Sequence, residues 1–463
     1  MKPVLLIDFG STYTKLTAVD VEGEQILGTA SAYTTVQTDI NDGLALGRKR
    51  LEEKTGPLEF AECYACSSAA GGLRMVTSGL VPDLTGEAAR LASLGAGAKV
   101  VGLYSFQMTE DDIEEIHKLH PDIFLLVGGT DGGNSECILY NAKMLATLPP
   151  EFPVVVAGNR TAARQCQRIL EGWEVYICPN VMPKFGVLQI EPTQKQIREI
   201  FLNRIIQAKG LSQAQSLLSD ILMPTPSAVL LAMELLAKGC EGESGIGDLI
   251  GVDVGGATTD VYSMADGMPE QMNTVYKGLP EPFSKRTVEG DIGMRYSVGG
   301  ILEAAGVQRV SALSGIAPAR VEELVAYLRA NTDRLPDGNK ELEALDQALA
   351  SLAVETAVAR HAGTMEETYT MMGQTFVQTG KDLTRVKQII VTGGSLIHTK
   401  NTVDIAKFAL YSPAQPMSLR PKQAGIWVDR SYILAAMGLL SSRYPQAALR
   451  MMKKELEQHG YSE

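Results

Sequence analysis

A strand that ends in an aspartate and runs directly into a Gly/Ser/Thr turn occurs twice in this 463-residue chain. The first copy is Val4-Leu-Leu-Ile-Asp8-Phe-Gly10-Ser11-Thr12-Tyr13-Thr14-Lys15, and the second is Leu249-Ile-Gly-Val-Asp253-Val-Gly255-Gly256-Ala257-Thr258-Thr-Asp260. Glycine in such a turn lets backbone N–H groups converge on an anion with no Cβ in the way. The hydroxyls add donors, and an aspartate at the strand end can share a hydrated cation with phosphate oxygens. One such turn means little, because Gly and Asp are default turn residues. Two of them, followed by a late Gly393-Gly394-Ser395 turn, predict hairpins that clamp a nucleotide polyphosphate from both sides. The chain lacks Gly-x-x-x-x-Gly-Lys-Ser/Thr, so a P-loop is not the vehicle.

The surrounding pattern sets the fold class. Apolar runs at 4–9, 16–21 and 24–30 predict an antiparallel meander, followed by a helix near 43–54, a strand at 60–67 and a small-residue turn at 67–72. Helix and strand patterns alternate from 86 to 178, which implies parallel strands with covering helices. The segment 180–247 reads as mainly helical, and its glycine-rich end at 239–247 is the best candidate for a domain boundary. The opening pattern then returns at 249, and helices lead to a strand at 386–392. The turn Gly128-Gly129-Thr130-Asp131-Gly-Gly133 occupies the place in the first half that Gly393-Gly394-Ser395 holds in the second, so the chain reads as duplicated α/β halves. The expected division is a first half at 1–180, a mainly helical insert at 181–247 and a second half at 248–463. The expected site is the cleft between the halves, beyond the carboxyl ends of the strands.

Composition narrows the function. With 42 basic against 54 acidic residues the net charge is −12, which disfavours nucleic acid and anionic membranes as partners. No apolar run approaches the roughly 20 residues of a membrane span, and the first residues are committed to a strand rather than a signal peptide, so a cytoplasmic location is expected. A homo-oligomer stays open. Six scattered cysteines do not form a disulfide framework. Cys63 and Cys66 lie on opposite faces of an expected strand and read as buried small hydrophobes rather than ligands.

The motifs at 8–15, 253–260 and 389–395 resemble the phosphate-1, phosphate-2 and adenosine motifs of the actin, Hsp70 and sugar-kinase superfamily. That resemblance implies two ribonuclease-H-like halves around ATP and Mg²⁺. Gly10, Ser11, Thr12, Tyr13, Gly255, Gly256, Ala257 and Thr258 would donate to phosphates, with Lys15 as a candidate phosphate cation. Asp8 and Asp253 would hold the metal or its waters, with solvent and metal as their partners, and Gly393, Gly394 and Ser395 would pack beside adenosine. Ala257 departs from the Gly-Gly-Gly pattern, which narrows the φ/ψ freedom there.

Further segments are similar to one narrower group, the accessory family of adenosylcobalamin-dependent glutamate (methylaspartate) mutase: Leu126-Val-Gly-Gly-Thr-Asp-Gly-Gly-Asn134, Pro179-Asn-Val-Met-Pro183 and Arg286-Thr-Val-Glu289-Gly-Asp291-Ile-Gly-Met-Arg295. The resemblance implies an ATPase with chaperone-like action, expelling damaged cobalamin from a mutase so that intact cofactor can enter; the helical segment 180–247 is the candidate for part of the client-binding insert. A small-molecule kinase using Asp131 or Asp291 as base, and an actin-like scaffold, are the alternatives. Glu289 and Asp291 read either as the start of a helix or as carboxylates near the nucleotide; Asp131 is open in the same way.

Overall fold

The computed structural model describes residues 1–10, 13–34, 40–68, 73–208, 222–270, 272–370 and 373–461. They form two compact units, Met1–Ala232 with Ala435–Met451, and Met233–Leu434 with Met452–Glu463.

In the first unit, β1 (Pro3–Phe9), β2 (Tyr13–Asp20) and β3 (Gln25–Tyr33) make the meander, and α1 (Ile40–Thr55) leads to β4 (Glu62–Ser67). β1 is central and buried along almost its whole length, as its continuous apolar run requires. A second, separate sheet follows, built from β5 (Leu73–Gly79), α2 (Glu87–Gly95), β6 (Ala98–Ser105), α3 (Glu110–Leu119), β7 (Ile123–Leu126), α4 (Glu136–Leu145), β8 (Val154–Val156), α5 (Arg160–Ile169) and β9 (Val175–Ile177). After α6 (Glu191–Ala208), the chain returns to the first sheet as β10 (Leu222–Pro224) and enters α7 (Thr225–Lys238). The first sheet has the order β10-β4-β1-β2-β3, and the second β6-β5-β7-β8-β9.

The second sheet is parallel throughout. Renumbered from its own first strand, its order is that of a flavodoxin-like doubly wound fold. Helix α2 packs with α6, while α3 and α4 pack together and α4 meets α5. Phe124, Leu126, Ile138, Ala142 and Val154 belong to the core on the α3–α5 side. The alternation read from sequence is therefore real, but it does not continue the hairpin sheet. The strand before Gly128 and Gly129 lies in the inserted sheet, so this turn is no counterpart of the one at 393–395. The strand that corresponds to the one before Gly393, Gln388–Thr392, is β4, and residues 69–72 after it lie outside the described set. Strand β5, missed in the sequence reading, pairs with β6 on one side and β7 on the other and makes the insert a module of its own.

The second unit opens with the short pair β11 (Gly239–Cys240) and β12 (Glu243–Ser244), then β13 (Leu249–Val254), β14 (Thr259–Met264), β15 (Thr274–Lys277) and β16 (Ser284–Glu289). Helices α8 (Val298–Ala305), α9 (Val307–Ser314), α10 (Pro318–Ala330) and α11 (Lys340–His361) follow, with β17 (Thr364–Thr370), β18 (Gly373–Thr379), β19 (Gln388–Thr392), α12 (Gly394–Ile397), β20 (Gly425–Val428) and β21 (Glu457–Tyr461). The main sheet runs β16-β14-β13-β19-β20-β21. Leaving aside β21, its order and strand directions repeat those of the first sheet: two antiparallel pairings on one side of the central strand and two parallel ones on the other. This is the ribonuclease-H-like arrangement, present twice. Helix α11 covers one face of the second copy with Leu345, Leu349, Leu352 and Val358 in the core.

A buried cation gives this unit a pH signature. Lys381 is 1% exposed, and its Nζ donates to the carbonyls of Ala265 at 2.6 Å and Phe283 at 2.7 Å. Burial pulls its ammonium down from 10.5 to about 7, with Glu281 opposing. The neutral amine still has donors for both carbonyls. Between those two values the unfolded chain holds a proton that the folded unit does not, so stability rises with pH across that window, by at most about 1.4 kcal/mol per pH unit. Denaturant midpoints measured from pH 7 to pH 9 are expected to climb. Lys381→Met is expected to lower stability by taking its donor from the Ala265 carbonyl, while Phe283 O keeps the Ala265 N–H at 3.2 Å, and to flatten that climb.

Candidate functional site

Each ribonuclease-H-like sheet carries one of the anticipated turns between its first two strands, and the two turns are built alike. In the first, Gly10 N–H donates to the Tyr13 carbonyl at 3.1 Å; in the second, Gly255 N–H donates to the Thr258 carbonyl at 2.9 Å. A Cβ would stand 2.6 Å from the Tyr13 carbonyl oxygen at Gly10 and 3.0 Å from that of Thr258 at Gly255, so neither position readily accepts a side chain. Ser11 and Thr12 lie outside the described residues.

The second turn shows how its donors are presented. Its carbonyls face a supporting loop: Met294 N–H donates to Gly255 O at 3.0 Å, and Arg295 and Tyr296 N–H to Gly256 O at 2.8 and 2.9 Å. The N–H groups of Gly256, Ala257 and Thr258 meet no acceptor among the described residues. A turn whose carbonyls are engaged behind it and whose N–H groups are open presents a positive concavity. Ala257 is not among the residues with positive φ, so the missing third glycine imposes no strain there.

The supporting loop is itself pinned. Arg295 makes a two-pronged contact with Asp346, at 3.1 Å from Nη1 and 2.7 Å from Nη2, and donates from Nε to Arg334 O at 3.0 Å. Glu289 and Asp291 do not open a helix: Glu289 ends β16 and pairs in register with Thr259. Both carboxylates are gathered by Arg360 Nη1, at 2.7 and 2.9 Å. Asp260, across the hairpin from Asp253, is held by Arg286 Nη2 at 2.6 Å. Arg286 is 4% exposed, and Asp260 and Tyr262 keep its guanidinium charged against the cost of burial.

The strand-end aspartates sit in different settings. Asp8 is 7% exposed. Its Oδ1 accepts from Thr225 Oγ1 at 2.6 Å and from Cys66 Sγ at 3.4 Å. The sequence reading expected solvent and metal as its partners; the protein adds Thr225 and Cys66. Thr225 reaches it because β10 runs parallel to β4, aligning Met223 with Cys66, and α7 begins just beyond. Burial and the Asp8 charge push the Cys66 thiol well up, so it is a neutral donor rather than a nucleophile. Lys15 is the direct cross-strand partner of Asp8, whereas the corresponding position opposite Asp253 is the acidic Asp260. The first hairpin thus carries a basic residue where the second carries an acidic one.

In the second unit the Gly393 turn closes on the same strand end. Gly393 has φ of +98°, and a Cβ there would lie 2.4 Å from Val254 O and 2.7 Å from Asp253 Oδ1. Gly394 is open to solvent and Ser395 half-buried. Beside them, Thr392 is the register partner of Asp253 and donates from Oγ1 to Asp429 at 3.2 Å. Asp429, 1% exposed, also accepts from the N–H groups of Ile433 and Leu434 at 2.8 and 3.2 Å. Asp253, Gly255, Gly256, Ala257, Thr258, Gly393, Gly394 and Ser395 therefore gather at one end of one sheet. Asp8, Gly10, Tyr13 and Lys15 gather at the matching end of the other. Thr225, Thr392 and Asp429 were missed from sequence, since a lone Thr or Asp at a strand end carries no spacing signal. Asp131 belongs to neither group: it lies in the inserted module, accepting from Arg160 N–H and Asn180 Nδ2 at 3.0 Å each.

The donor set suits Mg²⁺ shared with phosphate. Among the described residues no three His, Cys, Asp or Glu side chains cluster to hold a metal. Mg²⁺ characteristically takes only one or two carboxylates and completes its shell with water and phosphate oxygens.

The chain is similar to known proteins over nearly its whole length. A protein from Clostridium tetanomorphum, Protein MutL, is 47% identical over 460 residues, covering 98% of this chain and 99% of the relative. Among solved structures, nucleotide-free acetone carboxylase aligns over 95% of this chain and 70% of its own at 12% identity, TM-score 0.38. Ligand-bound xylulose kinase from Lactobacillus acidophilus aligns over 100% and 93% at 12% identity, TM-score 0.38. Component A of (R)-2-hydroxyglutaryl-CoA dehydratase from Acidaminococcus fermentans aligns over 97% and 100% at 10% identity, TM-score 0.32. The family described as MutL protein matches residues 4–456, and the chain belongs to that family.

Proposed function

We propose that this protein binds and hydrolyses ATP with Mg²⁺ and uses the cycle to reactivate a cobalamin-dependent mutase of the glutamate mutase type. The observation that carries the nucleotide part is the matched construction of the two turns, each with a glycine N–H closing onto the carbonyl three residues on. In this reading the two turns donate to ATP phosphates, Asp8 and Asp253 orient the metal, and the Gly393 turn meets adenosine. Phosphoryl transfer asks mainly for positioning and charge neutralisation, which donor-rich turns and a cation supply. The γ-phosphate would hold the turns that bind it until hydrolysis releases it, giving a mechanical stroke.

The client follows from the family resemblance. A tightly buried cofactor that has lost its adenosyl group blocks its own replacement, so its removal needs an external energy source. The family name is shared with a DNA mismatch-repair protein, but a net charge of −12 argues against DNA as the partner here. A kinase reading is also disfavoured. Asp291 is engaged through both oxygens by Arg360, at 2.9 and 3.0 Å, and Asp131 by Arg160 and Asn180, which leaves neither well placed as the base for an acceptor hydroxyl.

The test is direct. Glutamate mutase inactivated with hydroxocobalamin is incubated with this protein, Mg²⁺-ATP and fresh adenosylcobalamin. Return of mutase activity with release of the damaged corrinoid supports the proposal; phosphate transfer to a small acceptor, or sedimentable polymer without reactivation, replaces it. Gly255→Val is expected to abolish ATP binding in equilibrium dialysis, since its side chain would meet the Thr258 carbonyl and cover the donors. Wild-type affinity in that variant would remove the second turn from the site.

A further inference from the structure

The Asp8 carboxylate is held through one oxygen. Thr225 Oγ1 at 2.6 Å and Cys66 Sγ at 3.4 Å both donate to Oδ1, and among the described residues no hydrogen bond reaches Oδ2. The two donors are unequal: a neutral thiol donates weakly, whereas a hydroxyl this close to a carboxylate makes a short charge-assisted bond. Oδ1 is thus satisfied within the protein, and Oδ2 is the oxygen with capacity left for a metal ion or its water.

The fold explains how a hydroxyl 217 positions away arrives there. Asp8, Cys66 and Met223 form one row across the parallel strands β1, β4 and β10. Thr225 follows two places after Met223, where β10 gives way to α7. Pro224 and Pro226 flank it and remove backbone freedom on both sides. The corner is also fixed from behind. Ser227, fully buried, donates from Oγ to Ala96 O at 2.8 Å. At Gly97 a Cβ would lie 2.6 Å from Ser227 Oγ and 2.8 Å from Pro224 Cβ, so the chain is packed tightly there. Threonine is branched at Cβ and has few side-chain rotamers. Its hydroxyl is therefore aimed before any ligand arrives.

The second unit has no such donor at the matching place. β20 stands beside β19 and β13 as β10 stands beside β4 and β1. The residue after β20 is Asp429, which accepts from Thr392 Oγ1 and from the N–H groups of Ile433 and Leu434. As a carboxylate it has no proton to give Asp253.

We propose that Thr225 is a positioning residue for the metal: it fixes the Asp8 carboxylate through Oδ1 so that Oδ2 serves Mg²⁺ or its water. The proposal rests on the reading of the turns as an ATP–Mg²⁺ site and adds to it the group that sets one ligand's orientation. Mg²⁺ demands near-ideal octahedral geometry. Loss of a partner that orients a ligating group typically costs about 10–100-fold in metal affinity.

The full-length protein is loaded with a non-hydrolysable ATP analogue and titrated with Mn²⁺ as a stand-in for Mg²⁺, with free Mn²⁺ read by electron paramagnetic resonance. Thr225→Val removes the hydroxyl at nearly constant shape and is expected to weaken Mn²⁺ binding about tenfold or more. Thr225→Ser keeps the donor and is expected to restore it. Binding of the analogue in EDTA is expected to be the same in all three. In turnover the loss is expected as a raised Mg²⁺ half-saturation, with the rate at saturating Mg²⁺ close to wild type. Thr225→Ala repeats the measurement should the valine variant not fold. A hydroxyl that served the fold alone would lower the melting temperature and leave Mn²⁺ affinity unmoved. That result, or a serine variant as weak as the valine one, overturns the role of Thr225 and leaves the ATP site standing. A wild type that binds no Mn²⁺ with the analogue removes the ATP–metal reading and this role with it.

Discussion

Replacing Asp253 by asparagine is expected to lower Mg²⁺-dependent ATP turnover by roughly a thousandfold with little change in thermal stability. A metal that neutralises transition-state charge contributes several kcal/mol, and each 1.36 kcal/mol is tenfold in rate, so losing a metal-orienting carboxylate reaches about that size. Asparagine keeps the shape of Asp253 beside Gly393, where the packing leaves no room for growth. Asp8→Asn is expected to act in the same direction, and its amide oxygen can still accept from Thr225. Asp8→Ala is a poorer test, because it strands the Thr225 hydroxyl that now donates at 2.6 Å and mixes a folding defect with a catalytic one. Turnover of labelled ATP and a melting curve on each Asn variant separate the two effects. Wild-type turnover in both would show that neither carboxylate serves the metal.

The turns were legible in sequence because their chemistry is local. Glycine at 10, 255 and 393 is demanded by backbone atoms within a few residues or on the adjoining strand. The meander that opens each half also followed from local signs, whereas the ribonuclease-H-like order came from the family resemblance. The inserted module was misplaced for the opposite reason. Its strands carry the same short Val/Ile/Leu runs as the hairpin sheet, and no local feature tells which sheet a parallel strand joins. Only pairing does so, and Ile123–Leu126 pairs with β5 and β8. Thr225 escaped notice likewise: its bond to Asp8 spans 217 positions. Arg360, which gathers Glu289 and Asp291 from about 70 positions away, repeats the lesson, because the acidic run is readable and its cation is not.

Gly293→Ala is expected to abolish nucleotide binding although Gly293 lies in no phosphate motif. A Cβ there would stand 2.4 Å from the Ala257 carbonyl carbon, 2.6 Å from its oxygen and 2.8 Å from its Cα. All three are backbone atoms of the turn, so no side chain can swing aside. Nor can the loop yield freely: its 294–296 N–H groups hold the Gly255 and Gly256 carbonyls, and Arg295 is anchored on Asp346. Either the turn is pushed outward or the hydrogen bonds behind it break, and both misalign the N–H groups of 256–258. Misplacement by about 1 Å commonly costs on the order of a hundredfold in rate, while overpacking of this kind costs about 1–3 kcal/mol of stability. Gly299→Ala is the control, since its nearest neighbour is Arg329 Nη1 at 3.7 Å, an ordinary contact. ATP titration of both variants decides the matter: loss of binding in the first alone shows that the loop after β16 sets the shape of the turn, and unchanged binding in both would mean that the turn does not meet the phosphates.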